Sequence, residues 1–261
     1  MKVRPICRSD LILPFYKNDY SYCMHIHVSK DPDDLSYEAA EWMTTLIETT
    51  LHQQDRFCLL LSGGSTPKNL YKLLGGNSFK KRIDWTSLHI FFGDERPVPF
   101  SDERNNGKMA YDALVSKVPI PKTQVHYIKT SLSPQLAAEY YSRLLRQYFK
   151  DTIHTFDLAL LGMGDDGHTL SIFPGSESFN ETENWVVAVD VPSQRMYRIS
   201  LLPHVVNRST CVAFLVTGPA KAPVFNKIIH NTAAPQLYPV QLIHPSNGEL
   251  HWFVDQAAVG A

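Results

Sequence analysis

Cysteine is scarce in this sequence: there are four among 261 residues, and none forms a Cys-x-x-Cys pair. This pattern favours reduced, structural thiols over a disulfide framework or a zinc site. The sequence also has no excess of positive or negative charge: the formal net charge is −1 and no basic block occurs. That argues against a nucleic-acid partner. No apolar run is long enough to span a bilayer, so we expect no membrane association and a cytoplasmic protein.

Internal repeats, low-complexity tracts and linkers are missing as well. We therefore expect one domain over residues 1–261, with an irregular N-terminal segment at 1–34. The chain has eleven histidines, but only His25 and His27 lie close together, on one face of an extended segment. No further ligand cluster accompanies them in the sequence. We interpret them as surface or packing residues and expect no metal site.

Short, continuous apolar runs dominate what is present. Such runs predict strands buried on both faces, as in a parallel sheet covered by helices. The predicted strands are 22–28, 57–61, 88–92, the run that begins at 158, 185–189, 197–201, 210–217 and 250–254. Helical periodicity and capping residues predict five helices. The first is capped at Asp33 or Asp34, the second is capped at Thr66, the third spans 105–115, the fourth starts at Ser133 and Pro134, and the fifth starts at Gly218 and Pro219.

The stretch 158–175 carries the strongest chemical signal, because an apolar run ends there in three glycines, two carboxylates and a histidine. Gly162, Gly164 and Gly167 have the spacing of a dinucleotide-binding fingerprint. Against that interpretation, Asp165 and Asp166 would direct negative charge at a pyrophosphate. A proline at position 174 leaves room for little more than one helical turn. We therefore expect no nicotinamide or flavin cofactor.

His168, close to Asp166 at a strand end, favours an acid/base site instead. Ligands of open parallel sheets bind where the strands deliver their carboxyl ends. Histidine titrates near neutrality, and a neighbouring carboxylate can fix its tautomer and stabilise its cation. The alternative is that His168 only caps a turn.

Features elsewhere in the chain predict that an anion binds near this edge. The loop 62–67, rich in Gly, Ser and Thr, leads from a buried strand into a helix, whose free N–H groups and dipole favour an anion. An ordinary strand-to-helix turn is the alternative. Arg198 lies inside an apolar strand and needs either a carboxylate partner or an anion. Lys221 in a first helical turn opposes the helix dipole unless an anion binds there, although it could also be a solvated lysine.

Taken together, these motifs resemble the 6-phosphogluconolactonase family, in the family's order, from about residue 35 to Ala258. The resemblance implies a single α/β domain with a mostly parallel, Rossmann-like sheet and helices on both faces. It implies hydrolysis of 6-phospho-D-glucono-1,5-lactone to 6-phosphogluconate in the oxidative pentose phosphate pathway, without cofactor or metal, by a monomer. The motifs are Ser62-Gly63-Gly64-Ser65-Thr66-Pro67, Gly93-Asp94-Glu95-Arg96, the stretch from Gly162 to Gly175, Arg198-Ile199-Ser200-Leu201 and Gly218-x-x-Lys221.

The resemblance also implies a role for each candidate residue. His168 would activate water as a general base, and Asp166 would orient its ring. Arg198 and Lys221 would contact the phosphate. A covalent route through Ser171 is disfavoured, because no nucleophile-elbow pattern is present. The remaining implied site residues are Gly63, Gly64, Ser65 and Thr66, which would hold the phosphate and sugar edge, and Asp94 and Arg96, which would line the pocket.

Two other functions fit the same motifs less well. The glucosamine-6-phosphate deaminases carry a glutamate five residues beyond the histidine and a tyrosine at the position of Arg96, whereas this chain has Phe173 and Arg96. A non-enzymatic sugar-phosphate sensor would not need Asp166 and His168. The chain also departs from the lactonase pattern, since Asp165 stands where proline is common and Asn105 stands where serine is common.

Overall fold

Apolar strands form the centre of the molecule. The computed structural model describes residues 4–7, 23–176, 181–230 and 234–260. Within them, each residue of the segments Phe57–Leu61 and Cys211–Val216 is buried, as expected for strands covered on both faces. The strands are β1 (Arg4–Cys7), β2 (Cys23–Ser29), β3 (Phe57–Leu61), β4 (Leu88–Phe92), β5 (Asp94–Glu95), β6 (Leu158–Gly162), β7 (Val186–Val191), β8 (Met196–Leu201), β9 (Cys211–Val216) and β10 (Glu249–Asp255).

The main sheet has seven strands in the order β1-β2-β10-β9-β6-β3-β4. All neighbouring pairs are parallel except β1 and β2. The segment expected to be irregular, 1–34, is described only at 4–7 and from 23 onward, and the described parts contain β1, β2 and a helix start. The carboxyl ends of β3, β6 and β9 therefore lie side by side at one edge of the sheet.

Helices cover both faces of this sheet. Trp42 lies against His251 and Phe253 of β10, with ring centroids 4.6 and 5.1 Å apart, whereas Phe225 lies against Trp252 at 5.5 Å. Because successive strand residues point to opposite faces, these contacts are on opposite sides. The predicted α/β fold class is confirmed. The helices are α1 (Pro32–Leu51), α2 (Ser65–Leu74), α3 (Asn106–Ala113), α4 (Pro134–Tyr148), α5 (Pro203–Val206), α6 (Ala222–Ile229) and α7 (Gln256–Val259).

Two predicted strands, 185–189 and 197–201, do not join the main sheet. They correspond to β7 and β8, which form an antiparallel hairpin and pair with β5 in a separate three-stranded sheet. Strand periodicity gives which face a residue occupies but not which strand it pairs with. The pairing sets Asp94 opposite Ser200 and so brings Arg198 near the end of β4.

Three helix starts differ from the prediction; one is that of α6, which begins at Ala222 instead of at Gly218 and Pro219. α1 begins at Pro32 with Asp31 as its cap, because proline suits the first helical position and the Asp31 side chain accepts hydrogen bonds from the N–H groups at positions 33 and 34. α2 begins at Ser65 with Gly64 as its N-cap, so Thr66 lies inside the helix. α4 is capped by Ser133, as predicted.

None of the helices in the described residues is long and apolar enough to cross a membrane. Cys58 and Cys211 are free and buried. Burial raises the pKa of the Cys58 thiol to about 12. Both side chains therefore act as apolar packing groups, which fits the interpretation as structural thiols.

Candidate active site

His168 and Asp166 lie in the loop that follows β6. Oδ1 of Asp166 is 2.6 Å from Nδ1 of His168 and accepts a second hydrogen bond from the His168 backbone N–H at 3.0 Å. Burial acts to raise the pKa of Asp166, but the hydrogen bonds from His168 bring it below its usual value. An ionised acceptor at Nδ1 holds the ring proton there, which leaves Nε2 as the proton acceptor.

Glycines and an aromatic ring shape this loop. A side chain at Gly164 would collide with the histidine, since an added Cβ would lie 2.1 Å from Nδ1 of His168. Gly167 has a φ of 80°, in the left-handed region that favours glycine. The Phe173 ring stacks on the His168 ring, with centroids 4.3 Å apart. Two of the three glycines in the spacing that resembles a dinucleotide fingerprint, Gly164 and Gly167, are thus explained by the local shape of the histidine loop, whereas a Cβ at Gly162 would have no neighbour within 4 Å.

The loop between β3 and α2 lies next to the loop that follows β9. Oγ1 of Thr66 is 2.7 Å from Oγ1 of Thr217. Gly64 has a φ of 111°, and a Cβ at Gly63 would lie 2.0 Å from Oδ1 of Asn106. The two glycines are therefore needed for the turn and for the close approach. They leave the first N–H groups of α2 at this edge of the sheet, where an anion can accept hydrogen bonds.

Lys221 has a carboxylate partner. Its Nζ lies 2.5 Å from Oδ1 of Asp165, which joins the loop after β9 to the loop after β6. The Lys221 side chain is 22% exposed, whereas that of Asp165 is 67% exposed. Lys221 ends a short 3-10 turn and is the N-cap residue of α6, so it precedes the first helical turn in which it was predicted. An anion that binds Lys221 competes with Asp165.

Asp94 is buried between two loops. Its Oδ2 accepts a hydrogen bond from Oγ of Ser171 at 2.6 Å, and its Oδ1 accepts one from the Asn106 amide at 3.2 Å. Ser171 is 1% exposed, so its hydroxyl serves Asp94 and is not available as a nucleophile. Asp94 ties β5 to the histidine loop.

Glu95, the residue after Asp94, binds the first N–H groups of α3. Its carboxylate accepts hydrogen bonds from the backbone N–H groups of Arg96, Asn106 and Gly107 at 2.7, 2.7 and 2.8 Å. Burial raises the pKa of Glu95 to about 7, against these hydrogen bonds, which act to lower it. Asn105 accepts from the Lys108 N–H as the N-cap residue of α3. The turn from β5 into α3 is thereby fixed.

Arg96 and Arg198 form a second cationic group. Arg96 donates to the carbonyl of Arg104 at 2.7 Å, and Arg198 donates to Sδ of Met196 and Oε1 of Gln194. Burial, followed by repulsion from Arg96, lowers the pKa of Arg198 from its usual value. In the described part of the chain neither guanidinium makes an ion pair with a carboxylate. Both remain available to an anion.

Three neighbouring strand ends thus bring most of the predicted residues together. The ion pair between Lys221 and Asp165 links the β9 and β6 loops, and the Thr66 contact links the β3 and β9 loops. Asp94 is linked to the β6 loop through Ser171. The contacts described for Arg198 connect it to Arg96 and the second sheet, on the β5 side of the site.

Sequence analysis missed two residues that hold the lysine loop. The Asp255 carboxylate, at the end of β10, accepts hydrogen bonds from the N–H groups of Gly218 at 3.0 Å and Ala258 at 2.8 Å. Thr217 holds Thr66, as described above. Each is a polar residue directly at the end of an apolar strand, which is a detectable signal. The sheet order that makes β10 the neighbour of β9 is not readable from the sequence.

Comparison with known proteins relates the chain to sugar-phosphate enzymes. A sequence model of the glucosamine-6-phosphate isomerases/6-phosphogluconolactonase family matches residues 30–252. The chain is 35% identical over 236 residues to 6-phosphogluconolactonase 3, chloroplastic, of Arabidopsis thaliana, which covers 87% of this chain and 71% of that protein. It is 32% identical over 237 residues to a 6-phosphogluconolactonase of Nostoc, which covers 89% of this chain and 96% of that one.

A solved structure shows the same similarity in three dimensions. The 6-phosphogluconolactonase of Thermotoga maritima superposes with a TM-score of 0.78 at 31% sequence identity. The match covers 89% of this chain and 100% of the other. The family match over residues 30–252 includes the loops that carry the candidate site.

Proposed function

The chain belongs to the family of glucosamine-6-phosphate isomerases and 6-phosphogluconolactonases, and we propose that it hydrolyses 6-phospho-D-glucono-1,5-lactone to 6-phosphogluconate. The observation that carries the proposal is the Asp166–His168 pair, held at a strand end beside Lys221, whose side chain is 22% exposed. This arrangement offers a base for water next to a cation for a phosphate. It makes the protein a hydrolase of the oxidative pentose phosphate pathway.

His168 acts as the general base in this proposal. Nε2 takes a proton from a water molecule whose oxygen attacks the lactone carbonyl carbon, and Asp166 stabilises the imidazolium that forms. The tetrahedral intermediate then collapses, the bond from the carbonyl carbon to the ring oxygen breaks, and the imidazolium returns its proton to that oxygen. The products are a carboxylic acid, which ionises at neutral pH, and a free hydroxyl. No covalent enzyme intermediate is required.

The phosphate of the substrate is held by groups that do not react. Lys221 supplies a charge-assisted hydrogen bond, and the first N–H groups of α2, from Ser65 and Thr66 onward, supply neutral ones. The glycines of that loop keep the backbone free of side chains. Arg96 and Arg198 approach the ligand from the β5 side, where Asp94 fixes the loop. Binding energy at the phosphate positions the carbonyl near His168.

The family contains a second chemistry, deamination of glucosamine 6-phosphate, and Phe173 supports the choice between them. A deaminase needs an ionisable group at that position for its proton relay, as the resemblance implies. Here an apolar ring stacks on the histidine instead. A phenylalanine cannot carry a proton, whereas hydrolysis needs only one base.

The test is a pair of assays on the purified chain. Acid release from freshly prepared 6-phosphogluconolactone is measured against its spontaneous hydrolysis, and ammonia release is measured with glucosamine 6-phosphate. We expect acid release well above the uncatalysed rate and no ammonia. Ammonia without acid would replace the proposal by a deaminase, and neither product would indicate a sugar-phosphate sensor.

The location and assembly of the enzyme complete the proposal. We propose a monomer that acts in the cytoplasm on a small sugar-phosphate lactone, without nucleic-acid or membrane partners. The proposal is supported by a site formed by one chain. Light scattering of the purified protein at increasing concentration tests the monomer, and a dimer mass at low concentration would overturn it.

A further inference from the structure

A cluster of imidazoles lies at the other end of the main sheet. His25 of β2 and His251 of β10 are direct partners in the parallel register, and Glu249 precedes His251 by two residues on the same face. His27 also points to this face and lies against Phe253. The cluster is at the amino ends of β2 and β10, whereas the candidate active site is at the carboxyl ends of the parallel strands.

The cluster has the donor atoms of a metal site. One ligand atom each from His25, Glu249 and His251 can be chosen so that all lie within 4.8 Å of one another. Ligands of a tetrahedral zinc ion at about 2.1 Å are roughly 3.4 Å apart. The His25 and His251 rings are stacked, with centroids 4.6 Å apart and planes 20° apart, so at least one ring must turn before both nitrogen lone pairs point at one ion. Nε2 of His25 is buried and has no hydrogen-bond partner in the described residues, so one donor is unused.

The neighbouring contacts orient His251. Its Nδ1 lies 3.0 Å from Nε2 of His27, and its Nε2 lies 3.1 Å from Oε2 of Glu249. When the proton of His251 is on Nδ1, it is donated to His27 and Nε2 carries a lone pair. Nε2 and the Glu249 carboxylate are then two acceptors that face each other, and a cation between them removes this repulsion. Such a hydrogen bond from the second ring nitrogen is typical of histidines that bind metals. Trp42 covers the ring from α1.

We propose that His25, His251 and Glu249 bind a divalent transition-metal ion, with His27 orienting His251. Two imidazoles and one carboxylate match the preference of Zn²⁺, and three protein ligands leave a fourth position for water. Binding moves the proton of His251 from Nε2 to Nδ1, and the proton that His27 carried at Nε2 shifts to its Nδ1, so the net charge of the ligands is unchanged. Glu249, with 60% of its side chain exposed, leaves the ion a path from solvent.

The ion connects two strands of the sheet. β2 lies next to the antiparallel β1, and β10 lies next to β9. A ligand that binds only the folded state stabilises that state. Occupancy therefore raises the melting temperature, and because the cluster lies at the opposite end of the strands from His168, it leaves the turnover of the enzyme unchanged.

The test is calorimetric titration of the full chain with Zn²⁺, after chelator treatment and without an affinity tag. We expect one ion per chain and a higher melting temperature with Zn²⁺. Loss of an orienting partner of a metal ligand costs about 10- to 100-fold in affinity, so His27→Gln weakens binding by that amount. His25→Gln and Glu249→Gln, which remove ligands, weaken it at least as much. His52→Gln, which changes an exposed histidine of the same protein, leaves binding unchanged.

One further variant decides between outcomes. His168→Gln retains the binding if the ion occupies the cluster, and loss of binding in this variant would assign the ion to the catalytic loop and overturn the proposal. The proposal is also overturned if the wild-type protein binds no Zn²⁺ at millimolar concentration, or if Glu249→Gln and His25→Gln bind Zn²⁺ as tightly as wild type. Because Glu249 is exposed, its variant is expected to fold, which circular dichroism without metal verifies.

Discussion

His168 is restrained on two sides, and each restraint has a consequence for its chemistry. Asp166 holds Nδ1 at 2.6 Å and Phe173 stacks on the ring at 4.3 Å. The first contact fixes the tautomer and the second limits rotation of the ring. As the proposed base, His168 can reach a water molecule at Nε2 without first losing side-chain freedom.

Replacement of the base is the first prediction. His168→Asn should lower kcat for the lactone by about 10²- to 10⁴-fold, because a positioned base contributes that much to rate. The product 6-phosphogluconate should still bind, since the phosphate contacts remain. Steady-state assays corrected for spontaneous hydrolysis measure the first, and calorimetry with product measures the second. His52→Asn serves as the exposed control, and full turnover in His168→Asn would refute the assignment of the base.

The ion pair between Asp165 and Lys221 gives the second prediction. Asp165→Asn removes the carboxylate that competes with the substrate for Nζ of Lys221. We expect KM to fall by about three- to tenfold, because one charge-assisted contact no longer has to be exchanged, with kcat nearly unchanged. Asp151→Asn, in an exposed pair with Lys150, should leave both constants as they are. A higher KM in Asp165→Asn would mean that Asp165 helps to hold the substrate.

Removal of the phosphate cations is the third prediction. Lys221→Ala and Arg198→Ala should each raise KM more than they lower kcat, since the phosphate is bound but not transformed. The effect on KM should be larger for Lys221, which lies beside the histidine loop, than for Arg198 on the β5 side. Measurement of KM and kcat for the two variants checks which of them has the larger effect on KM. Unaltered KM in both would place the phosphate elsewhere.

At the scale of elements, the site depends on how strand ends are connected to helix starts. Asp255 of β10 holds the N–H of Gly218 after β9 and also caps α7 through the N–H of Ala258. One carboxylate thus fixes two turns. Glu95 does the same for the turn between β5 and α3. These buried carboxylates hold the loops of the proposed site through hydrogen bonds to backbone N–H groups.

Asp255→Ala tests this positioning role. Loss of the cap should cost about 1 to 2 kcal/mol in the free energy of unfolding, and the looser loop that carries Lys221 should raise KM. The matched control is Ser133→Ala, which removes the cap of α4, outside the catalytic loops. It should cause a similar loss of stability by denaturant titration with an unchanged KM. Equal KM values in both variants would limit Asp255 to a structural role.

Whole-molecule stability should respond to two buried groups in opposite directions. Burial lowers the pKa of His126 from 6.5 to about 4, so its contribution is present above pH 6.5 and is lost as the pH falls through 4. Burial raises the pKa of Glu95 from 4.5 to about 7, so its contribution is present below pH 4.5 and is lost as the pH rises through 7.

Variants of these two residues separate the contributions. His126→Phe, which preserves ring packing against Phe91, should make the unfolding free energy less dependent on pH between 4 and 6.5, by about 1 to 2 kcal/mol after solvent screening. Glu95→Gln should remove an opposite dependence of up to about 3 kcal/mol. Denaturant titrations across this pH range measure both. Parallel pH curves for variant and wild type would show that the group titrates normally.

The sequence alone determined most of the buried strands and the longer helices, and it pointed to the residue types of the proposed site. The buried strands 57–61 and 88–92 were predicted with the bounds observed, because continuous apolar runs bounded by polar turns admit few other structures. His168, Asp166 and the glycine loops were identified because catalytic residue types at strand ends are local patterns. The resemblance to the lactonases rests on the same local patterns.

Only the tertiary structure decided which of these residues meet. The second sheet, the pairing of Lys221 with Asp165 and the approach of His25 to His251 all depend on contacts between segments far apart in the chain. Periodicity fixes the face of a strand that a residue occupies, but sheet order and register follow from packing of the whole core. The position of Asp255 at a strand end is visible in the sequence, but its role is not, since its partner Gly218 becomes a neighbour only when β9 and β10 lie side by side.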